Sequence, residues 1–222
     1  MKIIFEDNHI IVVEKLPNIP SQSDKTKDLD MLTIVKKYIK EKYEKKGNVY
    51  LGLVHRLDRP VGGVMIFAKT SKAASRLSNQ VREKIFKKKY LAVVDGKIES
   101  KEGILEDYLY KDERNNISKV VNKNKKNAKL AKLQYEVLTY NEIKNLSLLK
   151  INLFTGRHHQ IRVQLANFGH SIFGDQKYGT RGKGKQIALW AYELTIKHPI
   201  TGEEMTFKDL PDAKGTWCIL KE

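Results

Sequence analysis

Short β-type segments in sequential pairs are the strongest constraint in this sequence. Residues 2–5 and 9–15 form one pair, with Glu6-Asp7-Asn8 as the turn between them. Gln134–Thr139 and Leu146–Leu153 flank a turn at Asn141–Asn145, and Glu193–Lys197 faces Met205–Phe207 across Pro199–Gly202. Val64–Ala68 and Tyr90–Val94 read as further strands. Turns this short can join only antiparallel neighbours, because a parallel crossover needs a dozen or more residues. Helical spacing occurs in three places. Leu32, Val35, Ile39 and Tyr43 mark a helix from Met31 to Lys46, stopped by Gly47. Thr70-Ser71 caps a second, with Ala74, Leu77, Val81 and Ile85 inward, and Ile161, Leu165 and Phe168 mark a short third ending at Gly169. The expected fold is α+β: a largely antiparallel mixed sheet flanked by helices and basic loops, with residues 1–222 as a single domain.

Charge narrows the partners. Lys and Arg total 42 against 26 Asp and Glu, a net charge of +16. Such an excess favours a polyanion, nucleic acid first and an anionic membrane surface second. Cys218 is the sole cysteine, so there is no internal disulfide and no paired thiolates for a zinc ribbon. No apolar run reaches the roughly 20 residues that span a bilayer, and Met1–Asp7 has early acids without an apolar signal core. These features predict a cytoplasmic protein. Tyr108–Lys132 stands apart, with eight basic residues against Asp112 and Glu113, 8 − 2 = +6, and five asparagines. It is expected as a basic loop or arm that closes on a phosphate backbone, the alternative being a solvated disordered loop.

Four stretches carry chemistry-bearing residues. In His55-Arg56-Leu57-Asp58-Arg59-Pro60-Val61-Gly62-Gly63 an acid lies between two arginines in a loop enforced by proline and glycine. A carboxylate beside guanidinium groups stays ionised and can serve as nucleophile or base. In Thr155-Gly156-Arg157-His158-His159-Gln160-Ile161-Arg162, Thr155 is expected to cap the third helix, and the free N–H groups with Arg157 make an anion site. His159 and Arg162 fall on one helical face. Adjacent His158 and His159 lack metal-ligand spacing, so no metal is expected. Gly179-Thr180-Arg181-Gly182-Lys183-Gly184-Lys185-Gln186 has P-loop spacing but Gln186 where a hydroxyl must hold magnesium, which excludes nucleotide hydrolysis. Lys84, Lys87, Lys88 and Lys89 lead into Tyr90, a pattern suited to holding phosphates with an aromatic ring against a base.

In order, these stretches resemble the RluA-type family of RNA pseudouridine synthases. His55-Arg56-Leu57-Asp58 with the following apolar strand and Ala68-Lys69-Thr70 resembles the family's catalytic motif, and Lys89-Tyr90-Leu91-Ala92-Val93-Val94 its tyrosine motif. Thr155–Ala166, Gly169–Asp175 and Tyr178-Gly179 resemble its arginine motif and the stretch after it. Ala191–Leu194 with His198-Pro199, and the opening hairpin up to Lys15, extend the likeness from Ile3 to Phe207.

The resemblance implies the pseudouridine synthase catalytic fold as a stand-alone domain, without the S4-like RNA-binding domain many relatives carry. It implies an enzyme that detaches uracil from its ribose, rotates it and rejoins it through C5, using no cofactor and no metal. By position Asp58 is the nucleophile acting on a flipped-out nucleotide, Tyr90 lies against the base, and Arg162 pairs with the aspartate. RNA contacts are expected from His55, Arg56, Arg59, Lys88, Lys89, Arg157, His159 and Gln160, with ribosomal RNA or tRNA as the partner and no membrane. Three departures stand out: Val61-Gly62 where the family commonly has Thr-Ser, Lys15-Leu16-Pro17-Asn18 where it has Lys-Pro-x-Gly, and Trp190 where histidine is frequent. Asn18 can replace the glycine because asparagine tolerates the left-handed conformation. A non-catalytic RNA-binding protein on the same fold is the alternative, and a monomer is expected because no heptad or apolar seam is visible.

Overall fold

The computed structural model describes residues 1–24 and 26–221. Its elements in chain order are β1 (Ile3–Glu6), β2 (Ile10–Lys15), α1 (Met31–Lys42), β3 (Gly52–Leu53), β4 (Gly62–Ala68), α2 (Ser71–Arg82) and β5 (Lys87–Asp95). They continue with β6 (Glu102–Asp112), β7 (Ile117–Val121), β8 (Lys129–Asn141), β9 (Leu146–Leu153), α3 (Gln160–Asn167), β10 (Leu189–Lys197) and β11 (Glu204–Lys208), and end in a 3-10 turn, Gly215–Lys221. The chain divides into two compact units. The first holds Met1–Lys87 and Ala191–Leu210, the second Lys88–Trp190 and Pro211–Glu222. The α+β class expected from the paired strands is the class observed.

In the first unit β2 pairs antiparallel with β1 on one side and β4 on the other, while β10 pairs antiparallel with β11. All seven residues of β4 are buried, which is why the sequence there is a continuous apolar run rather than an alternation. Ile10, Val12, Val64, Ile66, Leu77, Leu194 and Ile196 share one core. Helix α1 starts at Asp30, whose carboxylate accepts from the Thr33 N–H, and stops at Tyr43, three residues before the expected Lys46. Helix α2 is capped by Thr70 as expected, but its buried residues are Ala73, Leu77 and Gln80, and Val81 is exposed. The helix is turned by Gln80, whose amide both donates to and accepts from the Lys197 backbone, at 2.6 and 2.9 Å. A buried side chain that completes a backbone ladder outweighs one more apolar contact.

The second unit is an antiparallel sheet in the order β5-β9-β8-β6-β7. The segment 108–132, expected as a loop or arm, is mostly strand. Its lysines and asparagines mask its strands, and β8 carries a period of two that runs on past the segment: Ala131, Leu133 and Tyr135 are buried while the residues between them are not. Only the tips keep turn character, and Asn116 and Asn127 take positive φ there.

Two features of the first unit give measurable expectations. Gly63 sits inside β4, not in a turn, with φ +121°, and an added Cβ would come within 2.2 Å of the Ala191 carbonyl oxygen. Gly63→Ala therefore combines backbone strain with a clash against β10, and denaturant unfolding should show a loss of about 3 kcal/mol or more. Glu6 gathers Lys42 and Lys69 at 2.7 Å each, with the Tyr38 and Tyr43 hydroxyls at 3.0 and 2.9 Å. Burial opposes its ionisation, but these donors outweigh burial and pull its pKa from 4.5 to about 2. A depressed carboxylate stabilises the fold above its unfolded pKa and loses that contribution as pH falls toward its folded one. Between pH 5 and 2 wild type should lose on the order of 2 kcal/mol more than Glu6→Gln, measured by urea unfolding.

Candidate active site

Asp58 lies in the first unit, half-buried, in the loop that leads from β3 into β4. Its carbonyl accepts from the Val61 N–H at 3.0 Å, closing a turn around Arg59-Pro60. That turn is gripped from below by Lys15, the last residue of β2, which pairs in register with Gly63. The Lys15 side chain is fully buried, and its Nζ donates to the carbonyls of Leu16, Arg59 and Val61 at 3.2, 2.9 and 2.6 Å. Three acceptors match the three donors of an ammonium. Burial draws this group down to about 7; the Asp58 carboxylate opposes the fall and Arg59 adds to it. In the sequence Lys15 is legible as the end of a hairpin and the start of a family-like turn, but nothing in the spacing says that its side chain turns inward.

The neighbours of Asp58 are tied to the same unit. Asn18 takes the left-handed conformation expected of it, φ 68°, and donates to the Arg59 carbonyl at 2.8 Å. Ser21 Oγ donates to the Leu57 carbonyl and accepts from the Leu57 N–H. His55 Nε2 accepts from the Ile66 N–H at 3.0 Å, and its ring lies 5.2 Å from Phe86. Arg56 is exposed. The Arg59 guanidinium donates to Asp28 and Thr26, with Asp24 3.8 Å away. These contacts hold the Asp24 and Asp28 carboxyls below the usual range, Thr26 contributing most at Asp24 and Arg59 most at Asp28.

Tyr90 and Arg162 belong to the second unit. Tyr90 is buried on β5 opposite Ile151, after Lys88 and Lys89, which pair with Leu153 and Asn152. Burial lowers the Lys88 ammonium. The 155–157 loop lies close to this ammonium, and a Cβ added at Gly156 would stand 3.2 Å from Lys88 Nζ. Arg162, on α3, is 4% exposed and Asp175 is 1% exposed. Its Nε and Nη2 donate to the two Asp175 oxygens at 2.8 and 2.7 Å, a bidentate fork. Asp175 Oδ1 also accepts from the Lys177 and Tyr178 N–H groups. Burial disfavours its charge, but Arg162 and these amides win and hold the carboxyl below its ordinary range. The Tyr178 ring lies 5.3 Å from the guanidinium carbon. Asp175 and Tyr178 were visible in the sequence only as part of a family-like stretch; their distance from Arg162 along the chain gave no sign of the contact.

The start of α3 differs from expectation. Its N-cap is His159, in a left-handed conformation and without a side-chain cap bond, not Thr155. Thr155 Oγ1 instead accepts from the Lys132 N–H and donates to Gln160 Oε1, tying the loop to β8. Gln160 is 3% exposed, and its amide also takes the Arg157 N–H and donates to the Lys132 carbonyl. One of the amides proposed for an anion site is thus occupied by the chain's own side chain. Arg157 is exposed, with Nε on the Leu130 carbonyl. His158 and His159 stack at 3.7 Å, and His159 Nδ1 lies 2.8 Å from the Tyr178 hydroxyl.

Among the described residues no cluster of three His, Cys, Asp or Glu side chains is arranged to hold a metal ion, and no helix is long and apolar enough to cross a membrane. The 179–186 stretch is a turn-rich loop in which Arg181 reaches the Lys144 and Asn145 carbonyls.

Comparison with known proteins locates this architecture. A family model described as RNA pseudouridylate synthase matches residues 9–167. The dual-specificity RNA pseudouridine synthase RluA of Escherichia coli K12 is 34% identical over 212 residues, covering 93% of this chain and 91% of RluA. YhcT of Bacillus subtilis, an RNA pseudouridine synthase described as uncharacterized, is 33% identical over 208 residues, and the match covers 91% of this chain and 66% of YhcT. The solved structure of human RNA pseudouridylate synthase domain containing 4 shares the fold, with a TM-score of 0.79 at 23% identity over 95% of this chain and 89% of that one. Sequence likeness along nearly the whole chain and a shared α+β fold converge: this chain belongs to the RNA pseudouridylate synthase family and is an RNA pseudouridine synthase, an isomerase.

Proposed function

We propose that the protein converts a specific uridine of ribosomal RNA or tRNA to pseudouridine, with Asp58 as nucleophile, Tyr90 against the base and Arg162 as the cation that keeps the aspartate charged. The observation that carries this reading is the buried Lys15 ammonium holding the Arg59 and Val61 carbonyls. A binding surface for a polyanion gains nothing from a rigid turn beside a carboxylate, whereas a nucleophile must be presented in one geometry. The reaction breaks the N1–C1′ glycosidic bond and forms C5–C1′. The C5 proton leaves and N1 gains one, so the balance needs no external oxidant or cofactor. The uracil must leave the stack first, and lysines and arginines around the site hold the displaced backbone.

Exposed Lys119, Lys123, Lys125, Lys126 and Lys129 line the β7–β8 region, and they support a role in gripping RNA. Their contacts are to phosphates, which position the RNA without reading its sequence. The working partner is RNA and the working compartment the cytoplasm, with the protein acting as a monomer.

Two outcomes test the reading. In a strain lacking this gene, wild type should restore one or more pseudouridines mapped across total RNA, and Asp58→Ala should restore none. Equal maps for the two would leave an RNA-binding protein on a synthase fold. Replacing the five lysines by glutamine should lower the slope of log affinity against log salt by about 0.7–0.9 for each phosphate no longer neutralised, and an unchanged slope would remove this surface from the interface.

A further inference from the structure

Tyr178 lies where three parts of the second unit meet. Its hydroxyl accepts from the Ser118 N–H of β7 at 2.7 Å and lies 2.8 Å from His159 Nδ1. Its ring meets the His159 ring edge-on, at 5.6 Å and 83°, and covers the Arg162 guanidinium at 5.3 Å. Its own N–H is held by the carboxylate that forks Arg162. Ser118, 2% exposed, closes the circuit by donating from Oγ to the His158 carbonyl at 2.8 Å, with His158 Nδ1 at 3.0 Å. His159 is the strained member. It carries a side chain at φ 51° directly before α3, and such a conformation persists only where its surroundings enforce it.

We propose that Tyr178 is a positioning residue for the isomerisation: its hydroxyl holds His159 left-handed and joins it to β7, so that the lysine-bearing strands and Arg162 are set as one piece. The inference rests on the roles proposed for Arg162 and for those lysines. With the Ser118 amide as donor to the phenol oxygen, the phenol proton is available to His159 Nδ1. The same ring limits the guanidinium from its face while Asp175 fixes its edge. Substrate RNA engaged by the β7–β8 lysines would then act on a strand already locked to the arginine loop, rather than on a free arm.

Tyr178→Phe keeps the ring and removes the hydroxyl. Steady-state assays use unmodified ribosomal RNA and tRNA transcripts labelled with tritium at uridine C5, whose release reports the lost proton. The variant should lower kcat by about tenfold while KM for the RNA stays within about twofold. In the free protein the Arg162 Nε–H resonance, sharp in wild type, should shift or broaden in the variant. In a His159→Asn background, where residue 159 adopts the left-handed conformation unaided, Tyr178→Phe should no longer move that resonance. Unchanged kcat with an unmoved resonance overturns the proposal. So does a parallel loss of kcat, RNA affinity and melting temperature that leaves the kcat to KM ratio of effects undivided, which marks a residue needed only for folding. Wild type that releases no tritium from any transcript overturns the functional reading instead, and the arginine resonance still reports separately on the Tyr178 contacts.

Discussion

The first unit depends on how one buried cation is satisfied. An ammonium taken out of water costs several kcal/mol unless its donors are met, and Lys15 meets three carbonyls within hydrogen-bond distance. Two of those carbonyls belong to the turn after Asp58, so the cation cannot be satisfied unless the turn is formed. The reverse also holds: Val61 is buried, and its carbonyl needs a donor there. Strand β2, strand β4 and the loop between β3 and β4 are thereby fixed by one side chain, and the burial of Val64, Ile66 and Phe67 secures the strand end of the arrangement.

The second unit solves a related problem with a charge pair. Arg162 and Asp175 are both buried, and neither could be charged there alone. Their fork satisfies both, and the Lys177 and Tyr178 amides complete the carboxylate. Such a pair adds little net stability relative to a packed apolar alternative, but it fixes a guanidinium plane to within a narrow range of orientations. Fixed orientation is what the role proposed for Arg162 requires, since donors arranged beforehand need no reorganisation as charge develops.

Most of the architecture was legible because the strands carry period-two or continuous apolar patterns, and because Thr70, Asn18 and the turn residues speak through local chemistry. The failures share a cause. Gln80, Thr155 and Gln160 take long-range hydrogen bonds that rotate a helix or shift a cap, and no local pattern announces a partner 117, 23 or 28 residues away. The 108–132 region misled in another way, since its composition belongs to a loop while its alternation belongs to a sheet. The three residues proposed as catalytic were matched by motif; Lys15, Asp175 and Tyr178 stood in family-like stretches as well, but the contacts by which they hold Arg162 or the turn after Asp58 surface only when the chain is folded.

Strand β7 has one more consequence. It is five residues long and ends the β5-β9-β8-β6-β7 order, and its outer edge is partly covered, since the Ser118 N–H donates to the Tyr178 hydroxyl. A strand edge invites pairing with another chain, and covering it with another segment or lining it with lysine are common guards against this. Lys119 projects outward from this strand, and exposed Lys123, Lys125 and Lys126 follow at its end. That positive charge would repel a second copy approaching edge to edge, and the Tyr178 contact leaves less of the edge free to pair.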